Sequence, residues 1–125
     1  MKALFCLVPF LFVIASKENC HKPKKDTATY KGRLEIKGIC MNYTIKLLAG
    51  NLDTSLIDSK WTDETTNKSY INVFALGSRC TFSSTIQQGD EFLFKIDTAQ
   101  AQNCNVCLAY YPTPLKHLSI KVIDK

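Results

Sequence analysis

Short runs in which apolar and polar residues alternate recur along this chain, and no stretch carries a long helical period. Tyr30 to Gly38 sets Leu34 and Ile36 on one face against Arg33, Glu35 and Lys37 on the other. Cys40 to Leu48 repeats the pattern, with Tyr43, Ile45 and Leu47 opposed to Thr44 and Lys46. Ser69 to Leu76 gives a third run, and Glu91 to Ile96 a fourth, introduced by the turn Gln87-Gln88-Gly89-Asp90. A period of two is the mark of a half-buried strand. Val106 to Tyr110 reads as a fifth strand, and Leu118 to Val122 as a sixth or as a docked tail. Ala49-Gly50-Asn51, Gly77-Ser78 and Pro112-Thr113-Pro114 punctuate the runs. The best helical candidate, Asn51 to Ile57, is short and has few apolar positions. The expectation is an all-β fold with little helix, closed or partly closed into a small barrel, because closure removes exposed sheet edges.

The N-terminus has a different character. Lys2 precedes the apolar run from Ala3 to Ile14, and Ala15 and Ser16 supply small residues before Lys17-Glu18-Asn19. This is the layout of a secretory signal, with Val13 and Ala15 at the positions a signal peptidase reads. The run is about a dozen residues, against roughly 20 for a membrane span, and Pro9 interrupts it. The organisation read from sequence is therefore a signal peptide at 1–15, a basic arm at 16–29 and one domain at 30–125, secreted and with no transmembrane segment.

Cleavage would remove Cys6 and leave Cys20, Cys40, Cys80, Cys104 and Cys107. In an oxidising compartment these read as disulfide partners. An odd number permits two internal bridges and leaves one thiol over, and spacing alone does not give the connectivity. The net charge is +5, mildly concentrated at His21-Lys22-Pro23-Lys24-Lys25. Such an arm suits acidic glycans or an anionic surface, although like-charge runs more often mark solvated arms. No basic stripe is interleaved with aromatic residues, so nucleic acid is not an expected partner.

Catalytic signals are weak. His21 and His117 are far apart and lie in no nucleophile or metal motif; Asp63-Glu64 reads as part of a solvated loop. There is no Gly-rich phosphate loop. The reading is a non-enzyme without metal or cofactor. Cys104-Asn105-Val106-Cys107 has the spacing of redox and zinc sites, but it comes late and continues into Leu108-Ala109-Tyr110-Tyr111, which opens no helix. Two half-cystines with distant partners is the better reading. Asn42-Tyr43-Thr44 and Asn67-Lys68-Ser69 fit the N-glycosylation acceptor pattern. Asn67, in a polar loop, is the stronger candidate; Asn42 falls in an expected strand.

Three segments carry a family likeness: Val73-Phe74-Ala75-Leu76-Gly77-Ser78-Arg79-Cys80, Gly89-Asp90-Glu91-Phe92-Leu93-Phe94 and Cys107-Leu108-Ala109-Tyr110-Tyr111-Pro112. In order and spacing they resemble the netrin-like module, as found in the tissue inhibitors of metalloproteinases. The likeness covers roughly half of the expected mature chain, and it implies a five-stranded barrel of the oligonucleotide/oligosaccharide-binding (OB) type with helices packed on it. It also implies that Cys80 and Cys107 anchor the N-terminal segment. Cys40 and Cys104, which fall near strands, could then pair with each other, leaving Cys20 to choose between Cys80 and Cys107.

The departures bear on function. Those inhibitors tie down their N-terminus through a Cys-x-Cys pair, whereas here Cys20 is followed by His21-Lys22 and no second cysteine. Their inhibition places a mature N-terminal cysteine's free α-amine on the protease zinc, which requires a neutral amine with nothing ahead of it. Cleavage after Ala15 leaves Ser16-Lys17-Glu18-Asn19 in front of Cys20. The expected function is therefore a secreted binding module for an extracellular protein or glycan. The alternative is a metalloproteinase inhibitor that meets its zinc protease through Cys20, His21 and Lys22.

Overall fold

The structure, a computed structural model, describes residues 28–98, 104, 105 and 107–125. The signal peptide expected at 1–15, nearly all of the arm expected at 16–29, and Cys20, His21 and Lys22 with it, lie outside those residues. The strands are β1 (Tyr30–Lys37), β2 (Tyr43–Ala49), β3 (Asp58–Thr62), β4 (Ser69–Leu76), β5 (Glu91–Ile96), β6 (His117–Leu118) and β7 (Ile120–Asp124). Short 3-10 turns at Ile39–Met41 and Thr54–Leu56 are the helical elements among the described residues. The expected helix at Asn51 to Ile57 is thus one turn, begun where the Asp53 carboxylate accepts from the Ser55 amide.

All these strands join one sheet, ordered β3-β4-β2-β1-β5-β7 with antiparallel pairing along that path, while β6 adds to β4 in parallel. No uninterrupted strand closes the sheet. The interruption falls at Ser119, between β6 on β4 and β7 on β5. Around it the hydrogen bonds still alternate. The carbonyls of Lys116 and Leu118 accept from Ala75 and Gly77, and that of Ser119 accepts from Asp97 on the β5 side. Buried Ser78 extends the series: its hydroxyl donates to the Ile120 carbonyl at 2.8 Å and accepts from the Ile120 amide at 2.9 Å.

The inner face collects Leu34, Tyr43, Ile45, Phe74, Leu76, Phe82, Ile86, Phe92, Phe94, Leu118 and Ile120 into one buried cluster. Phe94 stands at its centre, with ring centroids 5.5 Å from Tyr30, 5.9 Å from Phe74 and 6.1 Å from Phe92. Gly32 makes room for them: a Cβ there would lie 3.0 Å from the Phe94 ring.

The first strand departs from strict alternation. Leu34 pairs with Ile45 but Ile36 pairs with Thr44, so β1 holds one extra residue around Glu35. A bulge of that kind moves the following residues to the other face. Leu34 enters the core, whereas Ile36 turns outward beside Thr44 and Ala75. The expectation that Leu34 and Ile36 share a face is corrected by this bulge. Lys37, paired with core Tyr43, now heads inward and donates from Nζ to the Ile86 carbonyl (3.0 Å), the Ser84 carbonyl and Gln87 Oε1. A charged amine thus closes one end of the apolar cluster through backbone acceptors.

Two further expectations change. β3 was not legible, because Asp58-Ser59-Lys60-Trp61-Thr62 is polar and projects with β4 as a hairpin exposed over most of its length. The expected strand at 106–110 is absent at 107–110, where the chain is irregular. Asp63, taken as solvated, is 1% exposed and organises the β3–β4 turn. Its carboxylate accepts from the Thr65 amide (2.9 Å) and hydroxyl (2.7 Å). Burial pushes its pKa up, but bonds from Thr65 and Thr66 outweigh that and hold it below the usual carboxylate value.

The disulfides are Cys40–Cys107 and Cys80–Cys104. The pairing implied by the family likeness, Cys40 with Cys104 and Cys80 or Cys107 with Cys20, is therefore corrected. The four half-cystines among the described residues bond among themselves.

Candidate binding surface

The Cys40–Cys107 bridge fastens one end of a strap, residues 107–116, and Cys80–Cys104 holds the chain just ahead of it. Its course is fixed by a series of contacts. Cys107 is tied to Cys40 in the β1–β2 turn, and the Ala109 carbonyl accepts from Asn42 Nδ2 at 3.1 Å. The Tyr110 hydroxyl donates to the Glu64 carboxylate in the β3–β4 turn. The Tyr111 ring lies against Gly38, where a Cβ would come within 2.6 Å of it. The Lys116 amide donates to Asp58 Oδ2 at 3.0 Å, and its carbonyl leads into the pairing with β4. Pro112 and Pro114 are buried along this path. Neither has an amide hydrogen, so each lies under cover without a ladder partner.

The row Ile36, Thr44 and Ala75 faces away from the main core yet is at most 7% exposed. Thr44 Oγ1 is buried there without a hydrogen-bond partner. The anchor end depends on an unusual turn: Cys40 and Met41 both have positive φ, 57° and 58°. Asn42 supports it from beneath, donating to the Ile39 carbonyl at 2.9 Å as well as to Ala109, and accepting from Arg79 Nη2 at 3.1 Å. A shallow groove runs between the disulfides, lined by Met41, Arg79, Phe82 and Asn105 together with the half-cystines.

What the strap presents outward is apolar. Leu108 is 96% exposed, Leu115 84% and Tyr110 76%, the three most exposed large hydrophobic residues among those described, and Ile39 beside Cys40 is 57% exposed. Isolated exposed apolar side chains are ordinary, but several on one tethered segment make it the candidate interaction surface. Covalent anchoring and prolines limit the entropy such a segment loses on contact. The bond to Glu64 is the main cause raising the pKa of Tyr110 above the usual tyrosine value, so the phenol stays neutral.

The neighbouring hairpin carries a second aromatic feature. Trp61 and Tyr70 are cross-strand partners stacked at 5.7 Å, with Lys68 Nζ 5.2 Å from the Tyr70 ring centre. Burial, followed by the charges of Asp63 and Glu35, raises the Tyr70 pKa.

Of the residues nominated from sequence, Cys40, Cys80, Cys104 and Cys107 converge at the anchored end of the strap. Asn42 lies beside them, only 9% exposed and fully engaged. Asn67 is apart from this group, exposed at the hairpin turn with φ 59°. His117 is exposed on β6. Among the described residues no three His, Cys, Asp or Glu side chains gather as metal ligands. The strap and the Trp61–Tyr70 pair were missed in the sequence. Two prolines shortly after a cysteine signal the first, and two aromatics flanking a polar turn signal the second. Comparison with protein-family profiles, curated proteins and solved structures yields no match.

Proposed function

We propose that this chain is a secreted netrin-like binding module that acts through contact with an extracellular protein and performs no catalysis. The observation that carries the reading is the disulfide-anchored strap, which displays Leu108, Tyr110 and Leu115 to solvent. The disulfides, and the absence among the described residues of a helix long and apolar enough to cross a membrane, are compatible with an extracellular setting. Support for an OB-type barrel comes from the pairings, which run β4-β2-β1-β5-β7 and return to β4 through β6. Leu118, Ile120 and Val122 all face the same cluster across Ser119, as they would in one strand. In this reading residues 117–124 form a single closing strand with a hydrogen-bonding step in its middle.

The alternative inhibitor function is weakened by the pairing. Cys40, Cys80, Cys104 and Cys107 are all engaged, so a Cys20 wedge has no bridge to brace it. The test uses the full chain secreted from cultured eukaryotic cells. It should leave a panel of zinc metalloproteinases uninhibited, and its captured extracellular partner should be lost when Leu108→Glu and Leu115→Glu are introduced without change in melting temperature. Tight protease inhibition, or undiminished capture by the double variant, overturns the reading.

A further inference from the structure

The two glycosylation sequons differ sharply in the folded chain. Asn42 uses both amide hydrogens, one to the Ile39 carbonyl at 2.9 Å and one to the Ala109 carbonyl at 3.1 Å, and its Oδ1 accepts from Arg79 at 3.1 Å. In N-glycosylation the amide Nδ2 bonds to C1 of an oligosaccharide carried on a polyprenyl pyrophosphate. The C1–O bond to the pyrophosphate breaks, and the amide gives up one proton. A glycosylated Asn42 would therefore lose at least one of its two donated bonds. It would also place a sugar between the β1–β2 turn and the strap, and so oppose the Cys40–Cys107 bridge that joins them.

Asn67 has no such commitment to the core. It is exposed, in a left-handed conformation (φ 59°) that asparagine tolerates well, at the end of a turn held from within. The Asn67 amide donates to the Asp63 carbonyl at 2.8 Å, and the Asp63 amide to the Lys68 carbonyl at 2.9 Å. The sequon's third residue, Ser69, is exposed on the strand edge of the same hairpin, its hydroxyl 2.8 Å from that of Thr62.

We propose that Asn67 carries an N-linked glycan and that Asn42 does not, its amide serving instead as the clasp between turn and strap. This rests on the secretory route argued above. A glycan at Asn67 would extend from the hairpin turn, so a partner would approach from the strap side rather than over that turn.

The experiment expresses the full chain in cultured eukaryotic cells, collects the medium, and maps glycan sites on wild-type protein by enzymatic deglycosylation, which converts each occupied asparagine to aspartate. The expected result is conversion at Asn67 alone, loss of the entire glycan mass in Asn67→Gln, and an intact Cys40–Cys107 bridge. Conversion at Asn42 in bridged, secreted protein overturns the assignment, as does secreted protein with Asn67 unmodified. Chain found only inside the cell overturns the secretory reading itself. Because the mapping is done on wild-type protein, the result does not depend on whether a variant folds.

Discussion

Removing the Cys40–Cys107 bridge, by Cys40→Ser with Cys107→Ser, tests the pairing and the strap together. The bridge closes a loop with a sequence separation of 67, and Cys80–Cys104, with a separation of 24, lies inside it. Chain-entropy reasoning gives about 4.4 kcal/mol for the outer loop alone and about 3.4 kcal/mol for the inner one. Nesting lowers the first figure. With Cys80–Cys104 intact, the outer closure constrains only some 40 further residues, which brings its expected contribution to about 4 kcal/mol. Release of the strap adds to this, because the Asn42–Ala109 hydrogen bond and the Tyr111–Gly38 contact loosen with it. Guanidinium unfolding at neutral pH should show the outer double variant destabilised by about 4 kcal/mol or more and the inner one by about 3.4 kcal/mol. Amide hydrogen exchange at Asn42, whose amide donates to the Ile39 carbonyl in the Cys40 turn, should rise only in the outer variant. A loss below about 1 kcal/mol for the outer pair, or equal exchange in both variants, would refute the reasoning.

Other perturbations probe separate joints of the fold. Ser78→Ala leaves the amide and carbonyl of Ile120 without their side-chain partner; a loss of about 2–4 kcal/mol and faster exchange at the Ile120 amide are expected. Lys37→Met removes the amine that serves Ile86, Ser84 and Gln87 and should cost about 1–2 kcal/mol in denaturant melts, the loop carbonyls turning to water. Asp63→Ala should cost about 2 kcal/mol at pH 7. The folded-state pKa of Asp63 is depressed, so its contribution is full above the usual aspartate value near 4 and is lost as pH falls through the lower folded value. The gap between variant and wild type should therefore narrow as pH falls below the usual aspartate value; an unchanged gap there would assign the effect to something other than the carboxylate.

The sequence was most readable where one face of a strand is buried. Leu34 and Ile45 alternate with polar neighbours and enter the core, as do Phe92 and Phe94 on either side of exposed Leu93. It was least readable where burial comes from elsewhere. Ile36 is in phase with Leu34 in sequence, but the extra residue near Glu35 reverses it, and no local propensity announces that bulge. β3 was hidden because a hairpin projecting into water needs no apolar face. Asp63 and Glu64 resemble solvent-facing residues until the turn hydrogen bonds and the strap are in place. For the candidate surface, the cysteines were legible as half-cystines. Their pairing was not, since it depends on which turns the sheet brings together rather than on spacing.

The nested bridges and the late closing segment also bear on how such a chain is made. Everything that completes the fold, Cys104, Cys107, the strap and the residues that pair with β4 and β5, comes after β5 in the chain. During vectorial synthesis the first five strands emerge with Phe74, Phe92 and Phe94 lacking the Leu118–Ile120 side of their cluster. Cys40 and Cys80 emerge as thiols whose native partners do not yet exist. The nascent chain therefore passes through a window in which a premature Cys40–Cys80 bond competes with the native pairs, and correct folding depends on isomerisation once the C-terminal segment arrives.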